Sequence, residues 1–127
     1  MAEALLVTAV AVGFYFATTN RHLQGVLDRA DVQTVTGWVV DQAQPSTRVE
    51  VQLFIDDRFA ADAVAAQFRP DLREAHRAED DWHGFVFQTP RLSPGDHEAR
   101  VYALYSNGAG SRQTLQLIGK PFRFRTD

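Results

Sequence analysis

The sequence predicts an all-β protein, an antiparallel sandwich of about seven strands standing behind one apolar N-terminal helix. Three observations carry this. Apolar side chains concentrate in the first twenty residues. From Val32 onward the apolar period becomes two, the spacing at which alternate side chains of a strand share a face. Turn residues then punctuate the chain at short, regular intervals, and no second long helical period exists to build a βαβ unit.

The helix comes first. Ala4 to Thr18 reads ALLVTAVAVGFYFAT, without a charged side chain. Residues 1–22 at about 1.5 Å per residue span a hydrocarbon core of about 30 Å, so they are expected to form a single transmembrane helix. Phe14, Tyr15 and Phe16 cluster near its end, where aromatic side chains suit the membrane–water interface. Ala9, Ala11 and Gly13 are small enough to let another membrane helix approach closely. Two alternatives compete. A cleaved signal peptide calls for positive charge before the apolar run and an Ala-x-Ala-like site after it; here the charged side chain before the run is Glu3. A helix apolar all round can also be buried in a soluble fold, but that needs a larger core than this domain offers. Arg21 and Arg29 follow the run, so the positive-inside rule places the soluble domain on the cytoplasmic side, N-out and C-in, with the periplasmic side as the alternative.

Residues 23–31 (LQGVLDRAD) read as a juxtamembrane linker. Leu23, Val26 and Leu27 fall at helical spacing, which Gly25 weakens.

Residues 32–127 form the sandwich. Thr34 to Asp41 is the first strand, closed by a Gln/Pro/Ser loop. Val49, Val51, Leu53 and Ile55 alternate with Glu50, Gln52, Phe54 and Asp56, the pattern of a half-buried strand. Asp56-Asp57 reads as a tight hairpin turn, with Phe59 to Gln67 returning. Pro70 opens one or two helical turns through His76, with Asp71 and Glu74 favouring their positive end. Phe85 and Phe87, then Ala99, Val101 and Ala103, mark two further strands, and Thr114–Ile118 and Pro121–Arg125 complete the set. Trp38, Val51, Leu53, Phe85, Phe87 and Val101 are expected to point inward.

Several short elements in this order resemble a known module. They are Gly37-Trp38-Val39-Val40-Asp41, a strand ending at Asp56, Phe68-Arg69-Pro70-Asp71-Leu72, His83-Gly84-Phe85-Val86-Phe87, and Gly95-Asp96-His97. Together they resemble an immunoglobulin-like β-sandwich accessory module of bacterial proteins, often appended to glycosyltransferases, over about Val32 to Phe124. Asp57 stands where that module carries glycine, and the segment before the module is expected to be a membrane helix instead of a catalytic domain. The resemblance implies a non-catalytic domain, with no reaction, cofactor or metal.

Composition narrows the chemistry. The net charge is −3, with a single lysine, Lys120, and no basic stripe, so nucleic acid is not an expected partner. The absence of cysteine excludes disulfides, thiolate metal sites and cysteine nucleophiles. His76, Glu79, Asp80, Asp81 and His83 form a metal-like cluster, but their irregular spacing reads as a solvated loop. Asp56, Asp57 and Asp62 lack the ordered oxygen ligands of a calcium loop. No serine stands in a nucleophile elbow, and there is no glycine-rich phosphate loop. Arg69 and Asp71 read as a turn brace, with Asp71 capping the short helix. No catalytic, cofactor or metal residue is assigned, and the chain is not expected to be an enzyme.

The expected function is a structural or accessory subunit of a larger membrane complex, by analogy an energy-converting one, respiratory or photosynthetic. Its partners would be other membrane-protein subunits and lipid. Phe54 lies between the inward Leu53 and Ile55, and Tyr102 and Leu104 lie likewise beside Val101 and Ala103. If their strands are neighbours, Phe54, Tyr102 and Leu104 make an outward apolar patch for a protein partner, with Trp82 and Arg100 at its polar rim. Alternatively a loop, residues 69–82, folds over them. The alternative function is a membrane-anchored carbohydrate- or envelope-binding module, which a row of exposed aromatic rings would favour.

Overall fold

A computed structural model describes residues 22–106 and 113–127. The expected membrane helix, with Ala9, Ala11, Gly13, Phe14, Tyr15 and Phe16, lies outside the described residues apart from His22. Among the described residues no helix is long and apolar enough to cross a membrane.

The chain forms strands β1 (Leu23–Ala30), β2 (Thr34–Asp41), β3 (Glu50–Ile55), β4 (Arg58–Val64) and β5 (Gln67–Phe68). A short helix, α1 (Pro70–Glu74), follows, then β6 (Trp82–Gln88), β7 (Gly95–Ser106), β8 (Gln113–Leu117) and β9 (Phe122–Thr126). The strands pair antiparallel into two sheets. The first has the order β1-β2-β6-β5; the second has the order β4-β3-β7-β8, with β9 also on β7. The expected alternation is what closes them: Val35, Val39, Phe85 and Phe87 of the first sheet meet Val51, Leu53, Val101 and Ala103 of the second in one buried core. The fold is thus an all-β sandwich, and the core prediction holds for Val51, Leu53, Phe85, Phe87 and Val101.

Two strands exceed the expected seven, β1 and β5. Residues 23–31 are not a linker outside the sandwich but contain β1, paired with β2 from Leu23↔Asp41 to Ala30↔Val35. The helical spacing of their apolar residues has another cause. Leu23 and Leu27 bury with the core while Val26 points out. The inward position between them is Gly25, where a Cβ would run into the Trp38 carbonyl and the Ile118 side chain. A register shift between Leu27 and Arg29 then brings Ala30 inward.

Trp38 is buried, as expected, but not in the main core. It lies with Val40 on the outer face of the first sheet, under Leu72 of α1, with Ala78 packed alongside. Residues 69–82 therefore fold over the first sheet, not over Phe54, Tyr102 and Leu104.

The two ends of the sandwich are distinct. At the entry end the Gln42 amide donates to the His22 carbonyl at 2.7 Å, and Arg48, just before β3, donates to the Trp82 carbonyl at 2.8 Å. At the far end lie the Asp31–Gln33 turn, the Asp56–Asp57 turn, Ser93 and Thr126. Asp31 holds its turn by accepting the amides of Gln33 and Thr34 at 2.8 and 2.9 Å. These two amides and the Arg29 side chain pull its carboxyl down to about 2. Asp56 and Asp57 both adopt positive φ, 52° and 65°, the twist a two-residue hairpin needs; aspartate tolerates it, which explains how the turn forms without glycine.

Candidate functional site

The outer face of the second sheet carries the predicted patch. In the β3–β7 ladder Phe54 stands opposite Arg100, Gln52 opposite Tyr102 and Glu50 opposite Leu104. Since Leu53, Ile55, Val101 and Ala103 are buried, these partners all face outward. Tyr102 and Leu104 pair in turn with Leu117 and Leu115 of β8, and Phe54 with Phe59 of β4. Three rings make a row: Phe59 to Phe54 at 5.8 Å and Phe54 to Tyr102 at 5.3 Å between centroids, both edge-on. The described residues provide no cover comparable to α1 here, and Phe59 and Val64 remain 57% and 51% exposed.

Arg100 does sit within this face. Its guanidinium pairs with Glu98 at 2.8 Å and approaches Asp57 at 3.6 Å. Trp82 does not belong here. It starts β6 of the first sheet, where it contacts Phe68 with ring centroids 5.1 Å apart and both rings about half exposed. Acidic neighbours at 79–81 give no information about which sheet a strand joins, so its placement needed the topology.

Charged groups elsewhere serve as struts. Arg69 forks Asp71 with two bonds of 2.9 Å and reaches Asp28 of β1 at 2.8 Å. Its stem lies where a Cβ on Gly84 would be. The brace predicted for Arg69 and Asp71 is thus present, but Asp71 holds Arg69, and the N-cap position of α1 is Arg69, whose side chain makes no capping bond. That pairing with Arg69 lowers the Asp71 carboxyl below its usual range.

The loop at 76–83 is not simply solvated. His83 is fully buried, and its Nε2 meets Asp80 at 2.9 Å. Arg48 clamps Asp80 at 3.0 and 3.2 Å, which depresses that carboxyl. Burial pushes His83 below its ordinary value, and its Nδ1 has no hydrogen-bond partner among the described residues. The two-residue parity from Phe85 already marks position 83 as inward. Parity likewise marks His97, two residues before Ala99. Its Nδ1 bonds Asp56 at 2.6 Å and its Nε2 the Ser93 carbonyl at 2.7 Å. Both partners are acceptors, so the ring needs both protons, and the Asp56 carboxylate raises its pKa. Burial opposes ionisation of Asp56, but the His97 bond and the Glu98 amide outweigh it and lower its pKa. Among the described residues no group of three or more His, Asp or Glu side chains is arranged to hold a metal ion.

Comparison with known proteins adds little. No family model matches this chain, and no curated protein matches it. Among solved structures, it is similar to a family 28 exopolygalacturonase of Yersinia enterocolitica, with a TM-score of 0.39 and 17% identity. That match covers 83% of this chain but 20% of the exopolygalacturonase, so the chain spans about a fifth of its length. A likeness this slight carries no argument about activity.

Proposed function

We propose that this chain is a non-catalytic, immunoglobulin-like accessory subunit of a membrane complex, docking through the outer face of its second sheet. The observation that carries the reading is the row Phe59–Phe54–Tyr102, continued by Leu104, Leu115 and Leu117, on a face without cover among the described residues. A sandwich gains nothing from such a face unless something else buries it. The strand orders β1-β2-β6-β5 and β4-β3-β7-β8 support the immunoglobulin-like assignment, since A-B-E-D and C-F-G sheets have that arrangement once β4 is counted as an added edge strand. Residues 1–22 supply the anchor in this reading, and the sandwich stands on the cytoplasmic side.

Two experiments test it. After a carbonate wash the full-length chain should stay with the membrane; its release would end the anchor. A Phe54→Ser, Tyr102→Ser, Leu104→Ser variant should remain folded by circular dichroism yet lose co-purifying subunits. Full retention of those subunits would remove docking from this face.

The second reading, a membrane-anchored carbohydrate- or envelope-binding module, draws on the same aromatic row. Edge-on contacts at 79° and 81° turn neighbouring rings away from a shared plane. Sugar stacking favours a flat platform, whereas protein contacts accept rings at any tilt. The protein-docking reading is therefore preferred.

A further inference from the structure

A second surface lies at the far end, beside the free edge of β4. A groove of about 790 Å³ runs between the Asp56–Asp57 turn with the start of β4 on one side and residues Pro90–Ser93 on the other. Its apolar wall includes Phe59 and Leu92, and its charged lining is Asp56, Asp57, Arg58, Arg91 and His97. These five charges do not cancel within the groove. Asp56 is taken by the doubly donating His97 and by the Glu98 amide at 2.9 Å. Asp57 faces Arg100, outside the groove. Arg58 acts on Asp56 through space, but neither it nor Arg91 forms an ion pair among the described residues. Two exposed guanidiniums are thus left over in a chain whose total charge is negative. The strand that forms the wall, β4, is terminal in its sheet, so one side of its backbone has no strand partner among the described residues.

We propose that this groove binds an extended acidic segment of a partner protein, laid along the β4 edge with carboxylates on Arg58 and Arg91 and an apolar side chain against Phe59 and Leu92. A free edge supplies backbone hydrogen bonds to an extended chain and wall pockets read its alternate side chains. Arginine favours carboxylate through its two-pronged geometry. A nucleic acid would need a broader basic surface than two arginines. The groove shares Phe59 with the docking row, but Arg58 and Arg91 lie outside that row, so changing them tests the groove alone.

The test uses the full chain in lipid nanodiscs, with three synthetic probes: the peptide Glu-Val-Glu-Val-Glu-Val, its counterpart with lysine for glutamate, and free glutamate. The acidic peptide should shift the backbone amide resonances of Arg58, Phe59, Arg91 and Leu92, and binding should weaken as salt rises. Joint Arg58→Ala and Arg91→Ala substitution should weaken it at least about tenfold, equivalent to about 1.4 kcal/mol, while circular dichroism stays unchanged because both side chains are exposed. Arg58→Lys with Arg91→Lys should restore part of the loss. No shift at millimolar peptide, equal binding by the lysine peptide or by free glutamate, or undiminished binding by the alanine pair would each overturn the proposal.

Discussion

The two sheets present opposite solutions to one problem. Each carries large apolar side chains on its outer face: Trp38 and Val40 on the first, Phe54, Tyr102 and Leu104 on the second. On the first sheet, Pro70 starts a helical turn that lays Leu72 over Trp38, leaving that residue 2% exposed and the tryptophan 8%. The Arg69 fork to Asp71 and Asp28 fastens this cover to β1. On the second sheet the described residues supply no such cover: the rings pack edge to face, with Phe59 exposed and Phe54 and Tyr102 half-buried. Apolar residues on an outer face thus form a second small core where the chain returns over them, and stay at the surface where the described residues do not; in the proposed reading a partner covers that surface.

This contrast can be broken most directly at Trp38. Trp38→Ala in the full chain should lower unfolding stability by about 3–5 kcal/mol, as expected for a buried aromatic. A loss of less than about 1 kcal/mol would mean that α1 does not cover this face. Leu72→Ala removes the cover itself and should cost about 2–5 kcal/mol, again read from denaturant unfolding. Phe54→Ser, on the open side, should cost less, about 1–2 kcal/mol, because its ring is only half-buried. If it proves as costly as Trp38→Ala, the second sheet is also covered and the two faces do not differ in kind.

Smaller effects sharpen the comparison through histidine. His97 has a raised pKa, so its contribution is complete below the ordinary histidine value of about 6.5 and is lost as pH rises through the folded-state value. His83 has a lowered pKa, so its contribution is present above about 6.5 and is lost as pH falls through the folded-state value. His97→Gln should flatten the alkaline side of a plot of unfolding midpoint against pH and leave the acid side sloping. An unchanged alkaline limb would show that the ring is not held as a cation.

The sheet interiors were legible because their signal is a repeat. Val51, Leu53 and Ile55 declare their face, and so do Phe85 and Phe87. The outward placement of Phe54, Tyr102 and Leu104 follows from the same parity, and their adjacency in the ladder was the one condition the sequence left open. What failed to show had no local signature. Gly25 contributes nothing to an apolar count, so β1 looked like a helix fragment. Trp38 and Trp82 are both tryptophans on strands, and only the path of residues 69–82 and the strand order decide which is sealed and which joins Phe68. His83 and His97 sat in readable parity but were masked by the polar residues around them. The Arg58 and Arg91 groove joins segments more than thirty positions apart, which no spacing rule connects.

The placement of the first and last strands has a mechanical consequence. β1 begins at Leu23, level with Asp41, and β9 ends at Thr126, level with Gly95, at the opposite end of the sandwich. Tension between these points runs along the strands. The β1–β2 ladder, paired over most of its eight residues, would then be loaded in shear, with its hydrogen bonds resisting together instead of opening one at a time. A domain strung this way can act as a stiff strut between whatever holds its first strand and whatever grips its last.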